Sequence, residues 1–588
     1  MMCHSMAHHL KKFFLFLLIV LHVKASRRFN QPLWTWDCIN GKCLPIKATI
    51  SGRLQSLITC NMLCSTIQLW PQPTGSVSLS TTAVPVRADL FQLQVLDFTS
   101  QPVLEHLQNA FDIFRQELSF TEEQLRGFDE WYKVVVRVRI NGSGDPRMRL
   151  DTDESYALSV QPEAGSVGTM AVYIIANSFC GARHALETLT QLIWLDPYAG
   201  SLLMLEAATI QDAPRFRYRG LMIDTVHNYF PVDELLRTID AMATCKLNTF
   251  HWHATGAQAF SIMFNSVPQL AKFNAYGNTT IYTPDDVRTI ARYARFRGIR
   301  VILEINVPAQ IGQAWDWGPI LGLGDLAYCS NLEPWYLYCD EPPCGQLNPR
   351  NDHIYNILER LFLEVTQLTG VDDLYHIGGN GMSDRCWTQY FNDTEPIDLW
   401  INFTRKTLQS LQKVKGNLPN LTLIWSSQLC EKIKTDLKEY VDYIGLQARN
   451  VAWNENFVSG MRTVLSNEDV WDLNSGMGAW HEDSEGAPYN SWEKIYEYRP
   501  WASSSLGLLE GGEATVWSAT LSSGGLEHRV WPRAAALAER LWSDRPEGAT
   551  RPVQARLDVY RARLNTRYNV KAEPIWSLWC SHNTYTCL

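Results

Sequence analysis

The feature that most constrains the fold is a regular alternation of short apolar segments and amphipathic helical segments after Pro214. Each apolar segment has the length and composition of a buried β-strand. The strand candidates are Gly220–Asp224, Leu247–His253, Arg300–Ile305, Leu374–Gly378, Leu421–Trp425, Tyr443–Gln447, Thr463–Leu465 and Ala514–Ser518. Successive β-then-α units of this number predict an α/β fold, a (β/α)8 TIM barrel, whose functional side chains lie at the carboxyl ends of the strands.

The clearest helix between these strands is predicted over Pro284–Arg297. Thr283 is its candidate N-cap, and Pro284 stands at the first helical position, where proline is favoured. Gly298 follows the predicted end, as is typical of helix C-termini. The three signals together mark both ends of one helix of the barrel.

The region before the barrel predicts a smaller α+β domain. Between Val134 and Ile140 apolar residues alternate with polar ones, which indicates a strand ending at Asn141. The segment Phe179–Ile193 repeats apolar residues at helical spacing. We therefore place an α+β domain at residues 68–210 and the barrel with its C-terminal tail at residues 211–588.

Length and charge narrow the class of protein. A chain of 588 residues is too long for one ordinary domain, and 46% hydrophobic residues supply a core for two. The formal net charge is −9, and no basic run interrupts it. This balance argues against a nucleic-acid partner.

The N-terminus predicts entry into the secretory pathway. Lys11 and Lys12 precede the apolar run Phe13–Leu21, and small residues follow at Ala25 and Ser26. This order is typical of a signal peptide, which we place at residues 1–26. An uncleaved membrane anchor and a lysosomal destination are the alternatives to an extracellular protein. Sequons for N-glycosylation agree with secretion and lie at Asn141, Asn278, Asn392, Asn402 and Asn420.

Fourteen cysteines also fit an oxidising compartment. A cysteine-rich segment is predicted at residues 27–67, and further clusters follow in the middle and at the end of the chain. The disulfide candidates are Cys38, Cys43, Cys60, Cys64, Cys329, Cys339, Cys344, Cys386, Cys580 and Cys587. Their connectivity is left open by the sequence. A zinc site in the first cluster is the less favoured alternative, because structural zinc sites of this kind are chiefly intracellular.

One motif in the barrel suggests a family. Residues 376–387 are His-Ile-Gly-Gly-Asn-Gly-Met-Ser-Asp-Arg-Cys-Trp, which resembles the His-x-Gly-Gly-Asp-Glu signature of glycoside hydrolase family 20, the β-N-acetylhexosaminidases. Segments beginning at Tyr218, Leu247, Gly511 and Trp531 resemble other parts of the same barrel. The cysteine-rich start and the C-terminal cysteines resemble the insect branch, which acts on chitin fragments or N-glycans.

The resemblance implies substrate-assisted hydrolysis, in which the 2-acetamido group of the sugar attacks its own anomeric carbon. The glutamate of the motif is then the general acid, and the aspartate before it orients the acetamido group. This chain has Gly381 and Asn380 at those positions, and Asp472 stands where a tyrosine would bind the acetamido group. We therefore predict that no catalytic residue is intact and that the chain is inactive or severely impaired.

The resemblance implies that part of the sugar site is retained. The predicted substrate-binding residues are Arg219, His376, Trp425, Trp492 and Trp517.

Other positions depart from the family pattern. Arg449 replaces a pocket tryptophan, Gln310 a histidine, Asn306 an aspartate, Ala519 a glutamate that binds sugar hydroxyls, and His227 an arginine. Because carboxylates are lost while Arg219 stays and Arg449 is gained, a more positive cavity with a more polar or anionic glycan as ligand is predicted.

A metal-dependent hydrolase is the rival interpretation of the barrel. His251 and His253 lie two apart on one strand and therefore share a face, as metal ligands in barrels do. The same His-Trp-His occurs in the resembled family without a metal. We predict neither a metal nor another cofactor.

Three functional hypotheses remain. The first is a secreted, inactive family member that binds N-acetylhexosamine-containing glycans or regulates an active relative by forming a homo- or heterodimer. The second is a weakly active β-N-acetylhexosaminidase that removes terminal GlcNAc or GalNAc, with Asp384 as a candidate substitute acid. The third is a purely structural protein whose pocket binds nothing.

Overall fold

The computed structural model describes residues 34–49, 54–64, 68–97, 100–119, 130–142, 144–427, 429–449, 460–478, 488–502 and 508–583. The predicted signal peptide at residues 1–26 and the candidate Cys587 lie outside these ranges. Among the described residues, no helix combines the length and the apolar character that crossing a bilayer requires.

The strands are β1 (Trp34–Ile39), β2 (Lys42–Lys47), β3 (Val77–Leu79), β4 (Ala83–Leu96), β5 (Tyr132–Ile140), β6 (Tyr156–Pro162), β7 (Thr169–Ala176), β8 (Ile193–Asp196), β9 (Ser201–Leu205), β10 (Ala208–Asp212), β11 (Tyr218–Asp224), β12 (Thr249–His253), β13 (Arg300–Glu304), β14 (Ala327–Ser330), β15 (Cys344–Leu347), β16 (Leu374–His376), β17 (Leu421–Trp425), β18 (Ile444–Ala448), β19 (Arg462–Leu465) and β20 (Leu508–Val516).

The α-helices are α1 (Leu57–Leu63), α2 (Gln101–Ser119), α3 (Phe179–Gln191), α4 (Val232–Thr244), α5 (Gln269–Asn274), α6 (Pro284–Arg295), α7 (His353–Thr369), α8 (Asp384–Tyr390), α9 (Pro396–Lys415), α10 (Leu429–Asp436), α11 (Glu468–Trp471), α12 (Trp492–Glu497), α13 (Leu526–Val530), α14 (Arg533–Ser543), α15 (Arg551–Arg567) and α16 (Leu578–His582).

The second half of the chain folds into the predicted barrel. Its parallel strands follow one another in the order β13-β12-β11-β20-β19-β18-β17-β16. Hydrogen bonds from the amides of Ile305 and Val307 to the carbonyls of His376 and Ile377 join the first and last strands of this order. Every predicted strand segment overlaps an observed strand, so the sequence pattern identified the barrel correctly.

Helix α6 has the predicted start. The Thr283 side chain accepts a hydrogen bond from the amide of Asp286, and the Asp286 side chain accepts one from the amide of Thr283. This capping box pairs two amides that the first helical turn leaves without partners. The helix ends at Arg295, slightly before the predicted Arg297, and Gly298 takes the left-handed conformation, with φ +72°.

The smaller domain is built on one mixed sheet. Its strands follow the order β3-β10-β6-β7-β5-β4-β9-β8, and helices α2 and α3 pack against the sheet. Helix α3 is buried along its whole length, because it lies between this sheet and the barrel. The predicted strand at Val134–Ile140 and the predicted helix at Phe179–Ile193 correspond to β5 and α3.

Disulfides join most of the predicted cysteines. In the cysteine-rich segment, Cys38 bonds to Cys64 and Cys43 to Cys60, which ties the β1–β2 hairpin to α1. Because these cysteines are bonded to each other, the first cluster is not a zinc site. Cys329 bonds to Cys386, Cys339 bonds to Cys344, and Cys580 is also disulfide-bonded.

The five sequons all carry exposed asparagines. Asn402 lies within helix α9, whereas Asn420 lies just before β17 and accepts a hydrogen bond from the guanidinium of Arg462. Exposure is what an N-linked glycan requires, and glycosylation itself stays a prediction.

Candidate active site at the carboxyl end of the barrel

The barrel interior is filled by layers of side chains from alternate positions of the strands. Tyr218, Ile302 and Leu423 belong to an apolar cluster inside the barrel. A polar layer contains His251, whose two ring nitrogens lie 2.8 Å from Glu513 Oε1 and 2.9 Å from Glu304 Oε2. Burial disfavours the imidazolium, but these two carboxylates outweigh burial and raise the pKa of His251 to about 10.

His376 lies in the same layer and is 1% exposed. Its Nδ1 accepts the amide hydrogen of Gly378, and its Nε2 therefore donates to Gln447 Oε1 over 3.1 Å. Burial lowers the pKa of His376 to about 3, so the ring is neutral. The prediction that His376 binds substrate is wrong, because both ring nitrogens hold the strand ends together beneath the site.

The rival metal interpretation rests, within the described part of the barrel, on one cluster in this buried layer. Possible ligand atoms of His251, Glu304 and His376 lie within 4.8 Å of one another. His251 is already hydrogen-bonded on both ring nitrogens, and Trp425 donates to the second oxygen of Glu304. A hydrogen-bond network accounts for this cluster without an ion, and the metal-free prediction stays a prediction.

Above this layer, Asp224 at the end of β11 organises one side of the barrel mouth. Its carboxylate accepts hydrogen bonds from His227, from His253 and from the amide and hydroxyl of Ser518. The other ring nitrogen of His227 lies 2.9 Å from Glu341. Burial disfavours a charged His227, but the Asp224 carboxylate outweighs it and raises the pKa of His227 to about 10. His227 is therefore a cation held between two anions.

The His-Ile-Gly-Gly motif forms a tight turn after β16. Gly378 has φ +72°, and a Cβ atom added there would lie 2.0 Å from Asn306 Oδ1. The same Asn306 oxygen accepts the amide hydrogen of Gly379. Only glycine fits at position 378, because Asn306 approaches the backbone so closely.

Gly381 is held in a second left-handed conformation, with φ +67°. A Cβ atom added to Gly381 would lie 2.7 Å from both Cγ and Nε2 of Gln310. Gln310 is itself 8% exposed and has φ +54°. Its side chain thus occupies the space that a side chain at position 381 would need.

Asn380 points to the neighbouring strand end. Its Oδ1 accepts a hydrogen bond of 2.5 Å from Arg449 Nη1, and the same guanidinium forms an ion pair of 2.5 Å with Glu468. Arg449 follows β18, and Glu468 is the first residue of α11. The side chains of Arg449 and Glu468 are only 28% and 34% exposed.

Two of the predicted tryptophans stand together beside Arg449. The ring centroids of Trp425 and Trp517 lie 5.9 Å apart, and the guanidinium carbon of Arg449 lies 5.7 Å and 5.5 Å from them. Trp425 is 1% exposed and donates its indole hydrogen to Glu304. The pair forms an aromatic wall at the barrel mouth, with the Arg449 cation against it.

Trp492 does not join this wall. It begins α12, which packs against α14 in the outer layer of the barrel, and its ring lies 6.3 Å from that of Tyr496. At 5% exposure it belongs to the hydrophobic core. The prediction that Trp492 binds substrate is therefore wrong, and core packing explains its size.

Arg219 lies at the opposite end of the barrel. It is the second residue of β11 and is 0% exposed. It forms a bidentate ion pair with Glu154 of the smaller domain. Its remaining donors reach the backbone carbonyls of Lys246 and Phe216. The prediction that Arg219 clamps a sugar is wrong, because the side chain is fully buried and all three guanidinium nitrogens are hydrogen-bonded at the interface between the domains.

Asp472 follows α11 at the carboxyl end of the barrel. Its two carboxylate oxygens accept hydrogen bonds from the amide of Asn474 and the hydroxyl of Ser475. These bonds favour the charged form, but burial outweighs them and raises the pKa of Asp472 to about 6. Asp472 is therefore a carboxyl group that changes charge close to neutral pH.

The charge of the site differs from the predicted positive cavity. Arg219 lies elsewhere, and Glu468 neutralises Arg449. Neither Glu468 nor Glu341, which pairs with His227, was among the predicted site residues. Glu341 lies between Cys339 and Cys344, so the short disulfide loop was its one available signal.

Comparison with known proteins agrees with this geometry. The model of the "Glycosyl hydrolase family 20, catalytic domain" matches residues 216–545, and the model "beta-acetyl hexosaminidase like" matches residues 69–192. The "Probable beta-hexosaminidase fdl" of Drosophila melanogaster is 36% identical over 94% of this chain and 91% of the relative. The "Chitooligosaccharidolytic beta-N-acetylglucosaminidase" of Ostrinia furnacalis is 33% identical over 97% of this chain and 98% of the relative.

Among solved structures, the chitobiase of Flavobacterium johnsoniae superposes with a TM-score of 0.65 at 25% identity, covering 86% of this chain and 73% of that one. The matched ranges contain both the barrel and the smaller domain. The chain therefore belongs to glycosyl hydrolase family 20, the β-hexosaminidase family, and insect β-hexosaminidases are among its relatives.

Proposed function

We propose that this chain is a secreted family member that binds N-acetylhexosamine-containing glycans and does not hydrolyse them at a useful rate. The observation that carries the proposal is the Asn380-Gly381 pair at the motif turn. Neither side chain has a carboxyl group, and Gln310 fills the space beside Gly381. Positions 380 and 381 therefore provide no acidic side chain to donate a proton, and Gln310 occupies the space that such a side chain would need.

The expected reduction in the rate of hydrolysis supports the proposal that the chain is inactive. Removal of a general acid typically lowers the rate by about 10²–10⁴. Removal of a residue that stabilises developing charge lowers it by about 10²–10³. The two effects need not multiply, because residues that act as a unit are not additive. Either one alone is enough to remove useful turnover.

The features that support binding are the aromatic wall and the neutral polar groups around it. Trp517, which is partly exposed beside the buried Trp425, supplies an apolar face that suits the apolar face of a sugar ring. Asn380 and Gln310 supply amide donors and acceptors for hydroxyl and acetamido groups. Since Glu468 neutralises Arg449, an uncharged sugar fits this site better than an anionic one.

A weak hydrolase is the second candidate, and Asp472 is the observation that favours it. A carboxyl group with its pKa raised to about 6 is partly protonated at mildly acidic pH, as a general acid must be. Asp384, the substitute acid considered from the sequence, is exposed at the first residue of α8. Asp472 is therefore the better candidate for a displaced acid.

The test is hydrolysis of an aryl β-N-acetylglucosaminide by the purified protein. We expect no turnover above the uncatalysed rate between pH 4 and 8. The Asp472→Asn and Asp384→Ala variants run beside the native protein. Turnover by the native protein that Asp472→Asn abolishes would replace the proposal with the weak hydrolase.

Binding is tested separately by titration calorimetry with N-acetylglucosamine and its disaccharide. We expect Trp517→Ala to weaken binding, while Trp492→Phe, a change in the core, leaves it unaltered. If the native protein binds neither sugar, the structural hypothesis takes the place of glycan binding.

Secretion and pairing are further parts of the proposal. The signal-like N-terminus, the exposed sequons and the disulfides support secretion. We expect protein from a eukaryotic host to appear in the medium, to lose mass on removal of N-glycans, and to have the native mass of a dimer. The mass of a monomer in light scattering would rule out a homodimer.

A further inference from the structure

We propose that a small cavity at the amino end of the barrel binds one chloride ion. The cavity lies where residues 147–149 of the smaller domain meet the end of α6, the start of β13 and the segment after α7. Its volume is about 10 Å³, which is room for a single occupant of about the size of a water molecule. The motif turn lies at the other end of the barrel, so this site is independent of what the barrel mouth binds.

Arg300 is the residue that indicates a ligand. It begins β13, lines the cavity and is only 3% exposed. Its Nε donates to Thr249 Oγ1 over 2.9 Å, and its Nη2 donates to the carbonyl oxygen of Arg217 over 3.4 Å. Its Nη1 is buried and has no hydrogen-bond partner in the part of the chain that the structure describes. A buried donor of a charged group is costly when it stays unpaired, so an acceptor here stabilises the fold.

Arg295 brings a second cation to the same cavity. It is the last residue of α6, and its Nη2 donates to the carbonyl oxygen of Thr369 over 3.0 Å. Burial lowers the pKa of Arg295, the neighbouring Arg147 lowers it further, and Asp145 offsets only part of this. Burial lowers the pKa of Arg300 as well. Both cations therefore stand in surroundings that disfavour their charge, and an anion between them would favour it.

The charges around the cavity leave a positive excess. The four arginines of the lining face one lining carboxylate, that of Asp373. The ion partners of these arginines outside the lining, together with the lysine that shares one of them, are Asp145, Asp372 and Lys415. The nearby pair of Glu154 and Arg219 adds no net charge. Five cations therefore stand against three anions, which favours an anion over an uncharged water molecule of similar size.

The size of the cavity and its access to solvent narrow the choice of anion. Sulfate, phosphate and carboxylate ligands are larger than the cavity, so the occupant is a monatomic anion, and chloride is the common one in biological fluids. The side chains of Arg147 and Arg149 are 36% and 29% exposed, so an ion reaches the cavity from solvent past them. Because these two arginines belong to the smaller domain and Arg300 to the barrel, the ion would help to hold the two domains together.

The test is thermal unfolding of the full chain while sodium chloride replaces sodium gluconate at constant ionic strength. Gluconate is too large for the cavity, and constant ionic strength keeps the screening of surface charges unchanged. We expect Tm to rise with the chloride concentration, as it does for a ligand that binds only the folded state. Arg300→Gln and Arg295→Gln should each weaken the apparent chloride affinity at least about tenfold, which is the contribution of a hydrogen bond to a charged group. Arg292→Gln is the matched control, because Arg292 is an exposed arginine of the same helix outside the lining.

Crystals of the unaltered protein soaked in bromide cover the case in which Arg300→Gln misfolds. We expect an anomalous difference peak in the cavity beside Arg300. The absence of this peak would overturn the proposal, and so would a chloride response that Arg295→Gln and Arg300→Gln both retain. A bromide peak without a chloride-dependent rise in Tm would show an adventitious ion only and would overturn it as well.

Discussion

The two ends of the barrel each hold an arginine, and the surroundings of the two residues differ. Arg219 at the amino end is 0% exposed and uses its donors on Glu154 and on two backbone carbonyls. Arg449 at the carboxyl end keeps 28% of its side chain exposed, and its contacts with described residues through the guanidinium are with the side chains of Asn380 and Glu468 and two tryptophan rings. The arginine at the amino end therefore helps to fix the domains to each other, whereas the arginine at the carboxyl end lies in an ion pair that stays partly open to solvent.

The largest expected effect concerns activity at the carboxyl end. We expect Asn380→Asp with Gly381→Glu to stay inactive, because Gln310 occupies the space of the new side chain and position 381 has a positive φ. Adding Gln310→His and Arg449→Trp should raise hydrolysis of the aryl glycoside about 10²–10³-fold above the double variant. Equal activity in the two variants would show that Gln310 and Arg449 do not obstruct the site.

A stability comparison of the two arginines gives the next largest effect. Arg219→Met removes the cation that pairs with the buried Glu154, which keeps its hydrogen bonds with His184 and Asn248, and should lower the free energy of unfolding by about 3–5 kcal/mol. Arg449→Met breaks a partly exposed pair and should cost at most about 1 kcal/mol. Urea denaturation followed by circular dichroism measures both. Similar losses of unfolding free energy in the two variants would contradict the conclusion that the arginine at the amino end contributes more to stability.

The smallest effect is a difference in the response to acid. At the amino end, burial lowers the pKa of His184 from 6.5 to about 4, so His184 protonates more readily in the unfolded chain. The stability contributed by neutral His184 is therefore lost as the pH falls from about 6.5 to 4. At the carboxyl end, the pKa of Asp472 is raised from 3.8 to about 6, and this contribution is lost as the pH rises through 6.

The two groups therefore oppose each other between about pH 6 and pH 4, where their titration ranges overlap, each with a slope of up to about 1.4 kcal/mol per pH unit. His184→Gln should flatten the decline in unfolding free energy on acidification, and Asp472→Asn should steepen it. Urea denaturation at several pH values measures the slopes. Slopes that change in the same direction would show that one of the two environments is described wrongly.

The barrel was predictable because its strands are marked by their own composition. Residues such as those of Leu421–Trp425 are buried on both faces, so an apolar run identifies the strand without knowledge of its partners. The motif turn after β16 was predictable for a similar reason, since two adjacent glycines mark it. In both cases the residues of the segment itself were enough to predict its local structure.

The position of Arg219 was predicted wrongly although the sequence contained the means to correct it. Arg219 is the second residue of its strand, whereas barrel sites lie where strands end. His227 comes three residues after Asp224, the last residue of β11, and it is the one that reaches the site. The resemblance of the segment at Tyr218 to the family placed Arg219 in the site, whereas the direction of β11 alone would have placed it at the opposite end of the barrel.

The partners of the site residues were not predictable. Glu341 reaches His227 from a disulfide loop, and Glu468 reaches Arg449 from the helix after β19. Both contacts depend on the paths of long connections between strands, which apolar periodicity does not describe. The same holds for Gln310, which meets Gly381 from the far side of the motif turn.

The contact between Gln310 and the α-carbon at position 381 also couples the effects of substitutions at the two positions. A side chain introduced at position 381 alone meets the Gln310 side chain, and a substitution of Gln310 alone adds no carboxyl group. The effect of either substitution therefore depends on the other, as is usual for residues in direct contact. An acid at this turn requires two coordinated changes rather than one.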